Sequence, residues 1–287
     1  AQLAFFGVCW LLVCVFANTS PAQPPTPLKN EPTPLQEDAN LHNIELLGAV
    51  RAWAVGDHGV VWHTHDGGRN WALQATPVEC SLRSVCFLTD RVGWIVGERT
   101  IPYARIGAGV VLCTEDGGAT WEVVSDKLPR LYHVQFFDLR HGIAVGDARP
   151  NSPTGVFVTE DGGRNWLPAP GDRQAGWRAA DFLDLETGAL AGKQGALSLV
   201  GGGAIQASRA GRLGVEGLRD IELSRDGTGW LAGEGALVRH TKNAGLVWEA
   251  PPTPLPAELR DFFDFRTVAA SGGQVWLAGS PGSAIWH

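Results

Sequence analysis

Thr64-His65-Asp66-Gly67-Gly68-Arg69-Asn70-Trp71 is the stretch that decides the fold, because it comes back. It returns as Thr114-Glu115-Asp116-Gly117-Gly118-Ala119-Thr120-Trp121 and as Thr159-Glu160-Asp161-Gly162-Gly163-Arg164-Asn165-Trp166. A worn copy runs Thr241-Lys242-Asn243-Ala244-Gly245-Leu246-Val247-Trp248. Each residue type suits a tight hairpin. An Asp carboxylate accepts hydrogen bonds from backbone N–H groups across a turn. The glycines allow positive φ. Thr64 and Asn70 add side-chain bonds, and Trp71 is expected to bury its ring between neighbouring sheets, stabilising by about 2–3 kcal/mol. Repetition argues that these Asp residues are structural. Calcium binding is not expected, since alternating ligands and a distal Glu are missing.

A second element precedes each box. It is a short apolar strand ending in Gly: Trp53–Gly56, Trp94–Gly97, Ile143–Gly146, Ala189–Gly192, Trp230–Gly233 and Trp276–Gly279. Another strand, such as Val60-Val61-Trp62-His63, follows. Units of this size hold about four short strands, the content of one β-propeller blade. The expected fold is therefore all-β: a propeller of four-stranded blades, with six units countable and seven expected in the complete protein. Arg99–Ala108 and Ala148–Thr154 are expected as insertions between second and third strands. Ala284-Ile285-Trp286-His287 aligns with Val60–His63, so the last blade is expected to be cut short.

Three segments are expected. Residues 1–22 read as an export signal, from the uncharged run Leu3–Ala17 and the small residues Ser20-Pro21-Ala22. With neither Met nor an early basic residue, it is expected to be clipped at its start. Residues 23–43, with Pro24, Pro25, Pro27, Pro32 and Pro34, read as a linker. Residues 44–287 read as the propeller. An exported location is expected: periplasm, cell surface or extracellular space, or a lumen in a phototroph. Disulfides are permitted there, and both a Cys80–Cys86 bridge and free thiols fit the three downstream cysteines.

A net charge of −7, with 18% charged residues, excludes a globally basic nucleic-acid binder but permits a local basic patch. No cofactor and no metal site are expected. Gly201-Gly202-Gly203 lacks the lysine of a phosphate loop, and His63 and His65 lack a third ligand. No catalytic residue is assigned.

The boxes carry the Asp-box (BNR) signature. Joined to the Gly-Trp-x-Val-Gly strands, they resemble the photosystem II stability/assembly factor-like domain, over about Ile44 to His287. The resemblance implies a seven-bladed, exported, non-catalytic scaffold. It implies a protein partner, a membrane-protein subunit of the reaction centre, bound in part through basic residues on one face. Arg69, Arg91, Arg140 and Arg164 are candidates for that face. The chain is expected to be a monomer that touches membrane only through its export segment. Two other classes share Asp boxes. One is a glycoside hydrolase. Only Tyr103 and Tyr132 are available to a sialidase nucleophile, while Asp57, Glu98 and Asp147 are positioned after blade glycines for a two-carboxylate mechanism. The other is a sortilin-like or glycan-binding module, for which Trp177 is the least regular tryptophan.

Overall fold

The computed structural model describes residues 31–100, 107–214, 217–251, 253, 255, 263–271, 273–280 and 283–286. The expected export signal, the tip of the first insertion and Tyr103 lie outside the described residues. Among the described residues, no helix is long and apolar enough to cross a membrane.

Strands pair only with their sequence neighbours, in six antiparallel sheets. The first holds β1 (Leu41–Leu47), β2 (Arg51–Gly56), β3 (Val61–Thr64) and β4 (Ala72–Gln74). The second holds β5 (Ser81–Phe87), β6 (Gly93–Thr100), β7 (Gly107–Thr114) and β8 (Glu122–Ser125). The third holds β9 (Leu131–Phe136), β10 (Gly142–Gly146), β11 (Val156–Thr159) and β12 (Leu167–Pro168). The fourth holds β13 (Trp177–Phe182), β14 (Thr187–Gly192), β15 (Ala196–Gly201) and β16 (Ala204–Arg212). Three described strands form the fifth, β17 (Leu218–Leu223), β18 (Gly229–Gly233) and β19 (Val238–Thr241). Its fourth position is a single bridge, His240 to Glu249. The sixth has β20 (Asp264–Ser271), β21 (Gln274–Ser280) and β22 (Ser283–Trp286). First strands lie beside one another in succession, β1 by β5, β5 by β9, and on to β20. They therefore surround the propeller axis.

Both insertions extend hairpins. β6 and β7 remain paired as far as Thr100 and Gly107, and Arg149 bridges Ser152 after β10. Within the expected linker, Pro34–Glu37 forms one helical turn, since Thr33 and Gln36 supply a capping box. The last three residues of that linker, Leu41, His42 and Asn43, already belong to β1.

Neighbouring sheets are locked by aromatics. Trp53 on β2 stacks at 3.7 Å on Phe87 of the second sheet and donates its indole N–H to Gly117 O at 3.3 Å. Trp94 repeats this on Phe136 at 3.7 Å and on Gly162 O at 2.9 Å. The residues paired with these phenylalanines across the ladder must be small. A Cβ on Gly93 would sit 2.6 Å from the Phe87 ring, and one on Gly142 2.7 Å from Phe136.

The closing tryptophans do not behave alike. Trp121 is 6% exposed and reaches back to Gln74 of the preceding sheet, donating to its Oε1 at 3.3 Å. Trp248 is buried and Trp166 half-buried. Trp71, expected to be interior, is 38% exposed. Its sheet is the first, so no preceding sheet among the described residues covers the ring. Its N–H bonds Gly68 O at 3.1 Å, as the Trp166 N–H bonds Gly163 O at 2.8 Å.

Trp121→Ala is expected to cost about 3–5 kcal/mol, read as a shift in the urea midpoint. Trp71→Ala is expected to cost about 1 kcal/mol, its ring being largely in solvent. Equal shifts would contradict this assignment of buried and bare rings.

Candidate functional site

The repeated turns have one geometry. The Thr64 hydroxyl accepts the Gly68 N–H at 3.0 Å, and Asp66 Oδ1 accepts the Asn70 N–H at 2.9 Å. Thr114 and Asp116 do the same for Gly118 and Thr120. Thr159 and Asp161 serve Gly163 and Asn165. In the worn copy Asn243 replaces the carboxylate and still holds the Val247 N–H at 2.9 Å. Bonds from the turn hold Asp116 and Asp161 below the usual carboxylate range although burial opposes this. Every oxygen so engaged is occupied within its own turn. The fourth sheet has no box: β15 passes to β16 across Gly202 and Gly203, both at positive φ.

Arg69, Arg91, Arg140 and Arg164 all stand at this rim. Arg69, Arg140 and Arg164 donate to carbonyls of Asp66, Glu160 and Asp161. Arg91 and Arg164 line one cleft, between the second and third sheets; Arg69 and Arg140 are outside it.

Sequence reasoning missed the more concentrated basic site, at the other end of the axis. Every first strand carries a register shift at one place. The residues passed over are His42, Arg83, Tyr132, Arg178, Arg219 and Arg266. A bulge leaves one residue out of the ladder and re-aims its side chain. The bulge exists because the second-strand glycine presses on the first strand. A Cβ on Gly97 would lie 2.3 Å from Ser81 O, and one on Gly146 2.0 Å from Arg130 O.

These side chains pair in separate groups around the mouth. Arg83 lies 3.1 Å from His42 Nε2 and donates to Glu98 at 2.9 Å. Arg130 adds a second cation to Glu98 at 3.2 Å. Arg178 lies 3.5 Å from Asp147, with its guanidinium 3.6 Å from the Tyr132 ring centre. Arg219 pairs with Glu234. Burial, with Arg83, Arg130 and Arg219 close by, pulls Arg178 down to about 10, while Glu98 opposes this. Asp57 accepts from Ser81, His42 and Asn40, which outweigh its burial and hold it at about 2. Asp57, Glu98 and Asp147 are therefore the counter-charges of the basic ring.

Below the mouth, first strands expose an unpaired edge to the axis, and side chains of the preceding sheet satisfy it. Asn43 accepts the Val85 N–H at 3.0 Å, Ser84 that of Val134 at 3.2 Å and Cys86 that of Phe136 at 3.4 Å. Gln135 accepts from Phe182 at 3.1 Å, and Asp181 from Leu223 at 2.7 Å. Asp220 accepts from Val268 at 3.0 Å, and Glu222 from Ala270 at 2.6 Å. Cys80, Cys86 and Cys113 are free thiols. No Cys80–Cys86 bridge forms, since the Cys86 sulfur faces the next sheet as an acceptor.

Trp177 is 2% exposed and bonds Thr154 O at 2.8 Å, so it offers no face to a sugar. The His63 ring stacks on Trp53 at 4.6 Å. No group of three or more His, Cys, Asp or Glu among the described residues is arranged to hold a metal.

No protein-family profile matches the chain. A photosystem II assembly protein, Ycf48 of Thermosynechococcus vestitus, is 27% identical over 123 residues, 40% of this chain and 33% of that protein. The chain thus spans a third of that relative's length. A photosystem II assembly lipoprotein, Ycf48 of a Synechococcus species, is 22% identical over 269 residues, 88% of this chain and 73% of the relative. Among solved structures, YCF48 bound to a D1 peptide superposes with a TM-score of 0.63 at 21% identity, covering 84% of this chain and 75% of that one. The chain is similar to the Ycf48 assembly propellers.

The acids at the inner edge give this propeller a pH signature. Burial pushes Asp181 and Asp220 up to about 6 and Glu45 and Glu222 up to about 7, with Asp181 adding repulsion to both. Folding favours their protonated forms. The stability they contribute is complete below about pH 4 and is lost as pH rises through 6 to 7. Asp57 acts oppositely, only below pH 4. The melting temperature is expected to fall between pH 5 and 8, and to fall less in Asp181→Asn/Glu222→Gln. A flat wild-type profile would contradict the assignment.

Proposed function

We propose that the chain is a non-catalytic, exported scaffold that holds a protein partner at its axial mouth, and that the partner is a photosystem II membrane subunit. One observation carries the reading. Five of six bulge positions hold a basic side chain, His42, Arg83, Arg178, Arg219 and Arg266, in a chain of net charge −7. A fold needs bulges at these places, but it does not need cations on them. Concentrated guanidinium groups recognise carboxylates and carbonyl-rich segments, and they speed encounter with a partner of opposite charge. The related YCF48 has been solved with a D1 peptide, which supports a subunit of that kind as client. Ion pairing of Asp57, Glu98 and Asp147 favours binding over glycoside hydrolysis.

Under the same reading the Asp-box residues serve architecture, and a seventh blade completes the ring between β20–β22 and β1. Leu41, Ile44 and Leu46 on β1 are exposed, whereas Leu82, Val85 and Phe87 at matching places on β5 are buried. This bare face fits a missing neighbour.

Titration of the full chain with a synthetic D1 peptide tests the proposal. Arg219→Ala/Arg266→Ala is expected to weaken binding about tenfold or more and to flatten its salt dependence. Undiminished binding by a double variant with a wild-type melting profile would overturn it.

A further inference from the structure

Arg91 and Arg164 lie at the opposite rim from the arginine mouth, and no pairing explains them. Together they line a cleft of about 420 Å³ between the second and third sheets. Among the described residues neither makes an ion pair, and Arg164 has only a 3.4 Å contact with its own turn. Val92 and Trp94 form part of the apolar lining, and Leu139 at its edge is 59% exposed. Glu115 is the single acid in the lining, so the cleft carries one positive charge in excess.

The repeat provides internal controls. Box glycines bond back to one carbonyl of the preceding hairpin turn: Gly67 to Val50, Gly117 to Arg91 and Gly162 to Arg140. Val50, Arg91 and Arg140 are thus equivalent, and so are Arg69, Ala119, Arg164 and Leu246 within the boxes. The cleft between sheets one and two accordingly presents Val50 and Ala119. The cleft between sheets four and five presents Glu186 and Leu246. The same backbone is built with no arginine in either case. Two arginines meet only between sheets two and three, so folding does not account for them.

We infer that this cleft is a second contact site, which takes an extended protein segment with an acidic side chain beside an apolar one. The carboxylate is held between Arg91 and Arg164, where planar guanidinium groups offer forked donors. The apolar side chain covers Leu139 and Val92, removing exposed carbon from water. The site is separate from the axial mouth and stands whether or not a reaction-centre subunit fills that mouth. With both sites in use, a scaffold grips one partner along the axis and a second segment at the far rim.

The test uses the full chain carrying Arg219→Ala/Arg266→Ala, so that the mouth does not compete. The probe is a fluorescein-labelled Gly/Ser peptide with Asp-Leu-Glu-Leu at its centre, followed by anisotropy. The expected result is saturable binding, about tenfold weaker for each of Arg91→Gln and Arg164→Gln, and unchanged for Arg69→Gln. Replacing the peptide's acids by Asn and Gln is expected to abolish binding. Absence of binding, equal binding of the amide peptide, or equal binding by Arg91→Gln/Arg164→Gln with an unaltered melting profile would overturn the inference.

Discussion

A strand beside a propeller axis has one edge in its sheet and one edge facing no strand. Left alone, each buried N–H on that edge would cost about 1–3 kcal/mol. Here the preceding sheet supplies the acceptor each time, from Asn43, Ser84, Cys86, Gln135, Asp181, Asp220 and Glu222. Side chain to backbone bonding between sheets thus does at the axis what backbone pairing does within them. It fixes where each first strand stands relative to the next, and the Trp–Phe stacks and box turns lock onto that frame from outside.

The same frame explains why the chemistry collects at one end. Each second-strand glycine presses against the first strand, and the strand answers with a bulge. Six bulges around one axis aim six side chains at one opening. Basic residues placed there become a ring without any loop having to be built for it. Their counter-charges come from the residues right after the glycines, Asp57, Glu98, Asp147 and Glu234. Strong internal pairing keeps the ring ordered, and under the proposed function the surplus cations remain for a partner.

Much of the architecture was legible in the sequence because repetition is visible there. Box spacing and the Gly-terminated strands pointed to units of about four short strands and to the place of the hairpin insertions. Burial of Trp71 was misread, because a repeat suggests that all copies share a neighbour, and no preceding sheet among the described residues covers the first copy. The basic mouth was missed, although a signal existed. His42, Arg83, Tyr132, Arg178 and Arg219 each lie fourteen residues before their blade glycine (56 − 42, 97 − 83, 146 − 132, 192 − 178, 233 − 219), and Arg266 lies thirteen before Gly279. Reading that column required knowing that a bulge falls on it, and a bulge depends on contacts between strands. The acceptors of the inner edge were still less legible, since Asn, Ser, Cys, Gln, Asp and Glu share the task and no single residue type marks it.

Amide hydrogen exchange at the Leu223 N–H, in the wild type and in Asp181→Ala, tests the central claim most directly. Removal of the carboxylate is predicted to strip protection from Leu223, while amides paired inside the fourth and fifth sheets exchange as before. Unchanged protection at Leu223 would contradict the account, because the edge would then be satisfied without the neighbouring side chain.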